Sequence, residues 1–296
     1  MLSILSALAR SRVLILSTIL TLMILSLIPI SPAIASTTTV VGDIPGSYGV
    51  TSDGAATYTI PISLPRGSGG LTPSIALVYN SQSGTGDAGY GWDLSGFSDI
   101  TRCNKTIDSD GSTEAIQLAS TDDYCLDGQL LRLKSDGVTY DTEEQQFDSI
   151  TATNGTNGPD HFEVVGPNGT TYEYGNTPDS KILATGTSTV RVWALDRVTD
   201  ASGNYYTIQY QNNDTTTGDF WPLTITYTEN AEGNYPQHTV TFGWTPRADT
   251  SVQTGYLRGS LNSQTQLLSS ITVAYNGTQN LTYILGYQTD PTNFRN

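Results

Sequence analysis

The chain has 296 residues, of which 13 are basic and 28 acidic, and its formal net charge is −15. This charge repels phosphate backbones and no basic stripe is present, so the sequence argues against nucleic-acid binding. After residue 36 the composition is rich in Thr, Gly, Asn, Tyr and Ser, which disfavours helices and favours strands joined by tight turns.

The N-terminus, residues 1–35, is predicted to be a secretory signal peptide. Arg10 and Arg12 precede an uncharged apolar run over residues 13–28, and Ala-Ile-Ala at 33–35 provides small residues for cleavage after Ala35. An uncleaved membrane anchor is the alternative, but the run is shorter than the ~20 residues that a spanning helix needs. We therefore expect export to the extracellular space or the cell surface, or to the periplasm, with no membrane association after cleavage.

The mature chain is predicted to be all-β and antiparallel, because apolar and polar residues alternate with a period of two in many segments. The apolar positions that share a strand face are Tyr58, Ile60 and Ile62; Ile75, Leu77 and Tyr79; Tyr206, Ile208 and Tyr210; Leu223, Ile225 and Tyr227; Val240, Phe242 and Trp244; Ile271, Val273 and Tyr275; and Leu281, Tyr283, Leu285 and Tyr287. Residues 114–119 could form at most one helical turn.

Turn signals separate these segments and suggest how the chain is divided. Asn168-Gly169 and Asn276-Gly277 are each typical of a two-residue hairpin turn. The polar, turn-rich stretch over residues 135–160 predicts a boundary. Residues 36–150 would form a sandwich-like β domain, and residues 151–296 a hairpin meander. One continuous sheet is the alternative.

The two cysteines, Cys103 and Cys125, are predicted to form a disulfide, since disulfides persist in an exported protein. The bridge closes a loop of about 22 residues, which the chain-entropy model values at roughly 3 kcal/mol. The alternative is two separate buried thiols.

A glycine-dense loop occupies residues 84–91 and precedes Trp92. Its first six residues, GTGDAG, match the glycine spacing of a dinucleotide-binding loop, but the helix that would receive the phosphate does not follow. We therefore expect a structural loop in which Gly89 and Gly91 let Trp92 turn back onto the core, and we expect no cofactor.

Possible metal ligands and catalytic groups are few. Asp108, Asp110 and Glu114 resemble part of a calcium loop but lack its other ligands, so an Asp-Gly turn is the simpler interpretation. His161 and His238 have no metal-ligand partner at the usual spacing, and no nucleophile elbow is present.

Two carboxylate pairs, Asp122-Asp123 and Glu143-Glu144, would point to opposite sides of a strand and are interpreted as solvated edges. A catalytic triad assembled from distant residues stays open. We assign no catalytic or metal site and do not expect an enzyme.

Several segments, taken in order, resemble the opening domain of the Salmonella virulence plasmid B protein (SpvB) family, which also begins the B components of insecticidal toxin complexes and many Rhs-type proteins. They read IPGSYGV at 44–50, YTIPISLP at 58–65, GGLTPSIALVYNS at 69–81, GYGWDLS at 89–95, ITRC at 100–103, YCLDGQLL at 124–131, GTTYEYG at 169–175 and WALDRVTD at 193–200.

The resemblance implies a structural role in a large secreted β shell, preceding Rhs repeats that wrap a C-terminal toxin. The expected partner is a downstream Rhs-type shell or toxin component, in the same or a separate chain, and the chain is expected to be a truncated or split form without a toxin domain. The alternative is a surface-binding module that recognises a glycan or host protein through exposed aromatics. The strand with Leu281 and Tyr283 is expected to offer an uncharged edge for self-association.

Overall fold

The computed structural model describes residues 44–144, 148–213, 215–230, 237–248 and 254–288, and the predicted signal peptide and cleavage site lie outside them. The first strands are β1 Ser47–Val50, β2 Ala56–Pro61, β3 Ala76–Asn80, β4 Thr85–Gly86, β5 Gly89–Tyr90 and β6 Trp92–Ser95. Strands β1, β2, β3 and β6 form a four-stranded antiparallel sheet in that order, and β4 pairs with β5.

The middle of the chain forms a closed sheet. Its strands are β7 Asp99–Cys103, β8 Asp123–Leu126, β9 Gln129–Leu133, β10 Thr139–Thr142, β11 Ser149–Asn154, β12 Pro159–Val165, β13 Thr171–Tyr174, β14 Lys181–Leu183 and β15 Val190–Thr199. Consecutive strands pair from β7 to β13. Strand β15 pairs with β7 through residues 192–194 and with β13 through residues 195–199, which closes a ring of eight strands. Strand β14 pairs with β15 outside the ring.

Long hairpins extend this sheet from β15. Their strands are β16 Asn204–Asn213, β17 Asp219–Asn230, β18 His238–Pro246, β21 Gln266–Tyr275 and β22 Thr278–Ile284, and they pair in that order. Between β18 and β21, β19 Thr254–Leu257 and β20 Ser260–Ser263 form a separate hairpin. All the strand pairings are antiparallel, so the predicted all-β class is confirmed.

Asn276-Gly277 connects β21 to β22 as the predicted two-residue turn, with both residues at positive φ. Asn168-Gly169 also lies between two paired strands, but the connection from β12 to β13 spans residues 166–170 and, of the two residues, Gly169 alone has a positive φ. The expected domain boundary between residues 150 and 151 falls inside β11, and the described residues from Pro45 onward belong to one compact unit.

Helical structure is limited to short turns in the described residues. A 3-10 turn spans Ser68–Gly70, and one α-helical turn spans Ile107–Asp110, earlier than the 114–119 segment that the sequence left open. The Ser109 amide donates to Thr106 Oγ1 (3.2 Å), and Gly111 ends the turn at φ 69°. No helix in the described part of the chain is long and apolar enough to cross a membrane.

Candidate functional site

The centre of the closed sheet holds a buried arginine. Arg102, on β7, is 5% exposed and donates from Nη1 to Asp122 Oδ2 (2.9 Å) and to the Ala119 carbonyl (2.6 Å). Its Nη2 donates to the Asn157 carbonyl (2.6 Å) and its Nε to the Val190 carbonyl (2.7 Å). Asp122 is therefore a buried ion-pair partner, and its sequence-based interpretation as a solvated edge is wrong.

Four aromatic rings pack edge-to-face around this arginine: Tyr124, Tyr140, Phe162 and Trp193. The Arg102 guanidinium lies 5.5 Å from the centroids of both Tyr124 and Trp193, within cation–π range. Trp193 and Phe162 are fully buried. The interior of the ring is thus filled by side chains, which is typical of a structural core.

The residues predicted to be structural in the glycine loop (residues 84–91) lie against the four-stranded sheet. Trp92 is partly buried, with its ring centroid 5.3 Å from Tyr79 and 6.2 Å from Tyr58. Gly91 has φ +76°, and a Cβ there would lie 2.6 Å from the Tyr79 ring. Gly89 is buried at φ 109°. The Trp92 ring is thus partly buried and packs against the hydrophobic core.

A small cavity of about 280 Å³ next to this loop is lined by four carboxylates: Asp87, Asp93, Asp99 and Asp219. Burial raises the pKa of Asp87 to about 7, and the charges of Asp93 and Asp219 add to the shift. Burial also raises the pKa of Asp99 to about 6 and shifts the pKa of Asp219 upward. We call this cavity the carboxylate junction. Asp219 is far in sequence from the other three, and the four follow no local motif, so sequence reasoning missed the cavity.

The two histidines have different environments. His161 Nε2 lies 3.1 Å from Thr153 Oγ1, and its Nδ1 lies 3.0 Å from Asp160 Oδ2, which also accepts from Lys181 Nζ (2.8 Å). This Thr-His-Asp relay lies on the open surface of β11 and β12, where Thr153 is exposed. His238 is buried between two tyrosine rings, and burial lowers its pKa.

Two carboxylates of the incomplete calcium motif, Asp110 and Glu114, have protein partners. Asp110 Oδ1 accepts from Arg132 (2.7 Å), and Glu114 accepts from Lys105 (2.7 Å). In the described part of the chain, no group of three or more His, Cys, Asp or Glu side chains is arranged to hold a metal ion.

Cys103 and Cys125 form a disulfide in the structure, as the sequence predicts. Their Cα atoms are 6.0 Å apart, and they lie on the paired strands β7 and β8. The bridge therefore reinforces two neighbours within the closed sheet.

A larger open groove of about 900 Å³ lies between the four-stranded sheet and the closed sheet. Tyr172 and Tyr206 face it, and both pair directly with Val198 of the intervening β15, so the two rings share one face of the sheet. Tyr174 also lines the groove, and its hydroxyl lies 3.0 Å from Ser98 Oγ. We call this the tyrosine groove.

Comparison with known proteins agrees with the sequence resemblance. The family model of the Salmonella virulence plasmid 65kDa B protein, SpvB, matches residues 50–129 and 132–253, which is more than half of the chain. This chain belongs to the SpvB family. In the comparison with curated proteins, no sequence matches significantly.

Solved structures share the fold at low identity. The N-terminal domain of the effector protein SpvB from Salmonella typhimurium strain LT2 matches with TM-score 0.60 and 16% identity, over 79% of this chain and 95% of that one. TcdB2-TccC3 matches with TM-score 0.60 and 17% identity, over 78% of this chain and 14% of that one. The Tc holotoxin pore of Photorhabdus luminescens matches with TM-score 0.64 and 16% identity, over 85% of this chain and 15% of that one. The SpvB-family chain thus spans about a seventh of these toxin-complex chains.

Proposed function

We propose that this SpvB-family chain is a non-catalytic structural module of a secreted, toxin-complex-like protein and that it acts by pairing its strands with a further β segment. The observation that carries the proposal is the filled closed sheet, in which the buried Arg102 donates to Asp122 and to three backbone carbonyls. Such an interior is typical of a structural core.

The pairing surface in this proposal is β22, the last strand of the extended sheet. It has one strand neighbour, β21, in the described structure. Ile284 is 83% exposed and Leu281 is 40% exposed, whereas Tyr283 is held inward because its hydroxyl accepts from the Ser63 amide (3.0 Å). An uncharged strand with open backbone groups is a template for another strand.

A site-specific photo-cross-linker tests the partner directly. Placed at Ile284 of the chain expressed in its source cells, it should capture an Rhs-type or toxin-complex chain identified by mass spectrometry. The matched control is Leu133, a 55% exposed residue at the end of β9 in the closed sheet, which should not capture that chain. Equal capture from both positions, or no shell-type chain at Ile284, would contradict the proposal.

Export is part of the same proposal. Residues 1–35 would direct secretion and be removed after Ala35, and the Cys103–Cys125 disulfide suits an oxidising compartment. Terminal sequencing of the exported chain should begin at Ser36. A cytosolic, unprocessed product would count against this assignment.

The absence of catalysis can also be tested, because the relay at His161 supplies the geometry of a nucleophile and base. We expect the mature chain and its Thr153→Ala variant to show the same background hydrolysis of p-nitrophenyl esters. A rate that Thr153→Ala abolishes would make the chain an enzyme.

The tyrosine groove supports a second candidate function, the binding of a neutral glycan. Tyr172 and Tyr206 offer half-exposed rings, and Asn168, Asp127 and Asp148 contribute polar groups to the lining. Aromatic faces with a few polar groups are typical of small-molecule sites. The described lining has no Lys, Arg or His, which disfavours an acidic glycan.

A glycan array that contains matched neutral and sialylated oligosaccharides tests this candidate. Binding to neutral glycans that Tyr172→Ala removes, and that Tyr256→Ala retains, would support it. Tyr256 is the matched control because it is 73% exposed on the β19–β20 hairpin, outside the groove. An array without signal, or a signal that Tyr172→Ala does not change, would contradict glycan binding in the groove, and the structural role would be the remaining candidate.

A further inference from the structure

The glycine loop is fastened to the C-terminal sheet by contacts between residues far apart in the chain. The Gly86 carbonyl accepts from Arg247 Nη2 (2.7 Å) and Nη1 (3.1 Å). The Asp87 carbonyl accepts from the Leu268 amide (2.8 Å), and the Asp87 carboxyl accepts from Gln264 Nε2. One short loop thus joins the first sheet to Arg247 just after β18, to Gln264 just before β21 and to Leu268 within β21.

The charges at this contact do not balance. Asp87 faces Asp93 on β6 and Asp219 on β17, while Arg247, just after β18, supplies the opposing positive charge and Tyr287, after β22, is neutral near physiological pH. Burial raises the pKa of Asp87 to about 7, and both carboxylates add to that shift. An ionised Asp87 is therefore unfavourable in the docked position.

We propose that the glycine loop is a proton-controlled latch: it is docked on residues 263–268 while Asp87 is protonated, and its docking weakens when Asp87 ionises. This inference goes beyond the proposed structural role, since it assigns a regulated contact inside the module. The latch would fasten the four-stranded sheet to the extended sheet under acidic conditions and loosen that connection at neutral and alkaline pH.

The direction in pH follows from linkage. A released Asp87 has an ordinary pKa near 4, so docking is accompanied by proton uptake between about pH 4 and pH 7. Docking is strongest below that window, weakens as pH rises through it, and levels off above about pH 7. Between about pH 5 and about pH 8, the docking equilibrium should change by up to a hundredfold.

Hydrogen exchange measures this docking through the Leu268 amide, which donates to the Asp87 carbonyl. In the full exported chain, we expect the protection factors of the Leu268 amide and of the glycine-loop amides to fall between about pH 5 and about pH 8. After correction for intrinsic exchange, the decrease should reach about a hundredfold. Asp87→Asn should keep high protection at both pH values, since the amide cannot ionise. Asp53→Asn, an exposed change in the β1–β2 turn, is the matched control and should behave like the native chain.

A second variant keeps the test informative if Asp87→Asn fails to fold. Asp93 Oδ1 accepts from the Asp87 and Leu94 amides, and the side-chain oxygen of Asp93→Asn can accept the same bonds without the charge. With that charge removed, the pH at which half of the protection of the Leu268 amide is lost should move to a lower value. The proposal is overturned if native protection is equal at both pH values, or if either variant folds and keeps the native pH dependence.

Discussion

The closed sheet and the carboxylate junction both bury charge, but they satisfy it differently. In the closed sheet, Arg102 meets one carboxylate, Asp122, and three carbonyls, with both charged side chains almost fully buried. At the junction, Asp87 and Asp99 lie near other carboxylates, and the pKa of each is raised toward neutrality, chiefly by burial.

The difference shows what each region can do. A buried ion pair that is held by several hydrogen bonds is costly to break, because removing one partner leaves an uncompensated charge. A crowded set of carboxylates changes its charge near neutral pH, so the contact that it forms is adjustable. The closed sheet is therefore expected to be a rigid scaffold, and the junction a responsive contact.

The largest effect should come from breaking the buried pair. Arg102→Met leaves Asp122 buried without its partner, so we expect a loss of about 3–5 kcal/mol in the free energy of unfolding, measured by urea denaturation. Arg132→Met is the matched control: its ion pairs with Asp110 and Glu143 are partly exposed, and its cost should stay below about 1 kcal/mol. If the two substitutions lowered the free energy of unfolding equally, the buried ion pair would contribute no more to stability than the surface ion pairs.

The disulfide should contribute next. Replacing both Cys103 and Cys125 by Ser removes a cross-link between residues 22 apart, for an expected loss of about 3 kcal/mol. The effect acts on the unfolded chain, because β7 and β8 are already paired in the fold. Thermal unfolding of the native chain with and without reductant should show the same difference as the double variant. If neither the reductant nor the double substitution changed the stability, the disulfide would not contribute to the stability of the closed sheet.

Trp92 tests the packing beside the junction. Its ring contacts Tyr58 and Tyr79 but is only partly buried, so Trp92→Ala should cost about 2 kcal/mol, below the 3–5 typical of a fully buried aromatic. Tyr90→Ala, an exposed ring in the same loop, should cost less than about 1 kcal/mol. If Trp92→Ala left the melting temperature unchanged but abolished ligand binding, the binding function would be favoured.

Much of the fold could be predicted from local sequence, and the charged regions could not. The alternation at Val240 and Phe242 predicts a half-buried strand, and Asn276-Gly277 fixes the last hairpin. The closure of β13 on β15 depends on pairing between distant segments, which no period or turn encodes. Likewise, Asp122 reveals its role only once the fold brings it to Arg102.

Asp99 gives the smallest stability effect, and its size depends on pH. Burial raises its pKa to about 6, so its contribution is favourable below about pH 4 and is lost as pH rises through 6. Asp99→Asn should therefore stabilise the chain by about 1 kcal/mol near pH 8, after allowing for solvent screening, and change little near pH 4.

Asp136 is the control of opposite sign. Hydrogen bonds from Thr139 and Val138 lower its pKa to about 2, so its contribution is lost only as pH falls toward that value. Unfolding curves across pH for both Asn variants would separate the two cases. A pH-independent effect of Asp99→Asn would show that its charge is not the cause.

The most direct test of the structural role is whether β22 recruits another strand. Light scattering coupled to size-exclusion chromatography of the purified chain should show a mass that rises with concentration. Ile284→Lys should abolish the rise, because a charge on an exposed edge strand opposes pairing, whereas Leu133→Lys should not. A concentration-independent monomer, or equal association in the native chain and Ile284→Lys, would contradict the account.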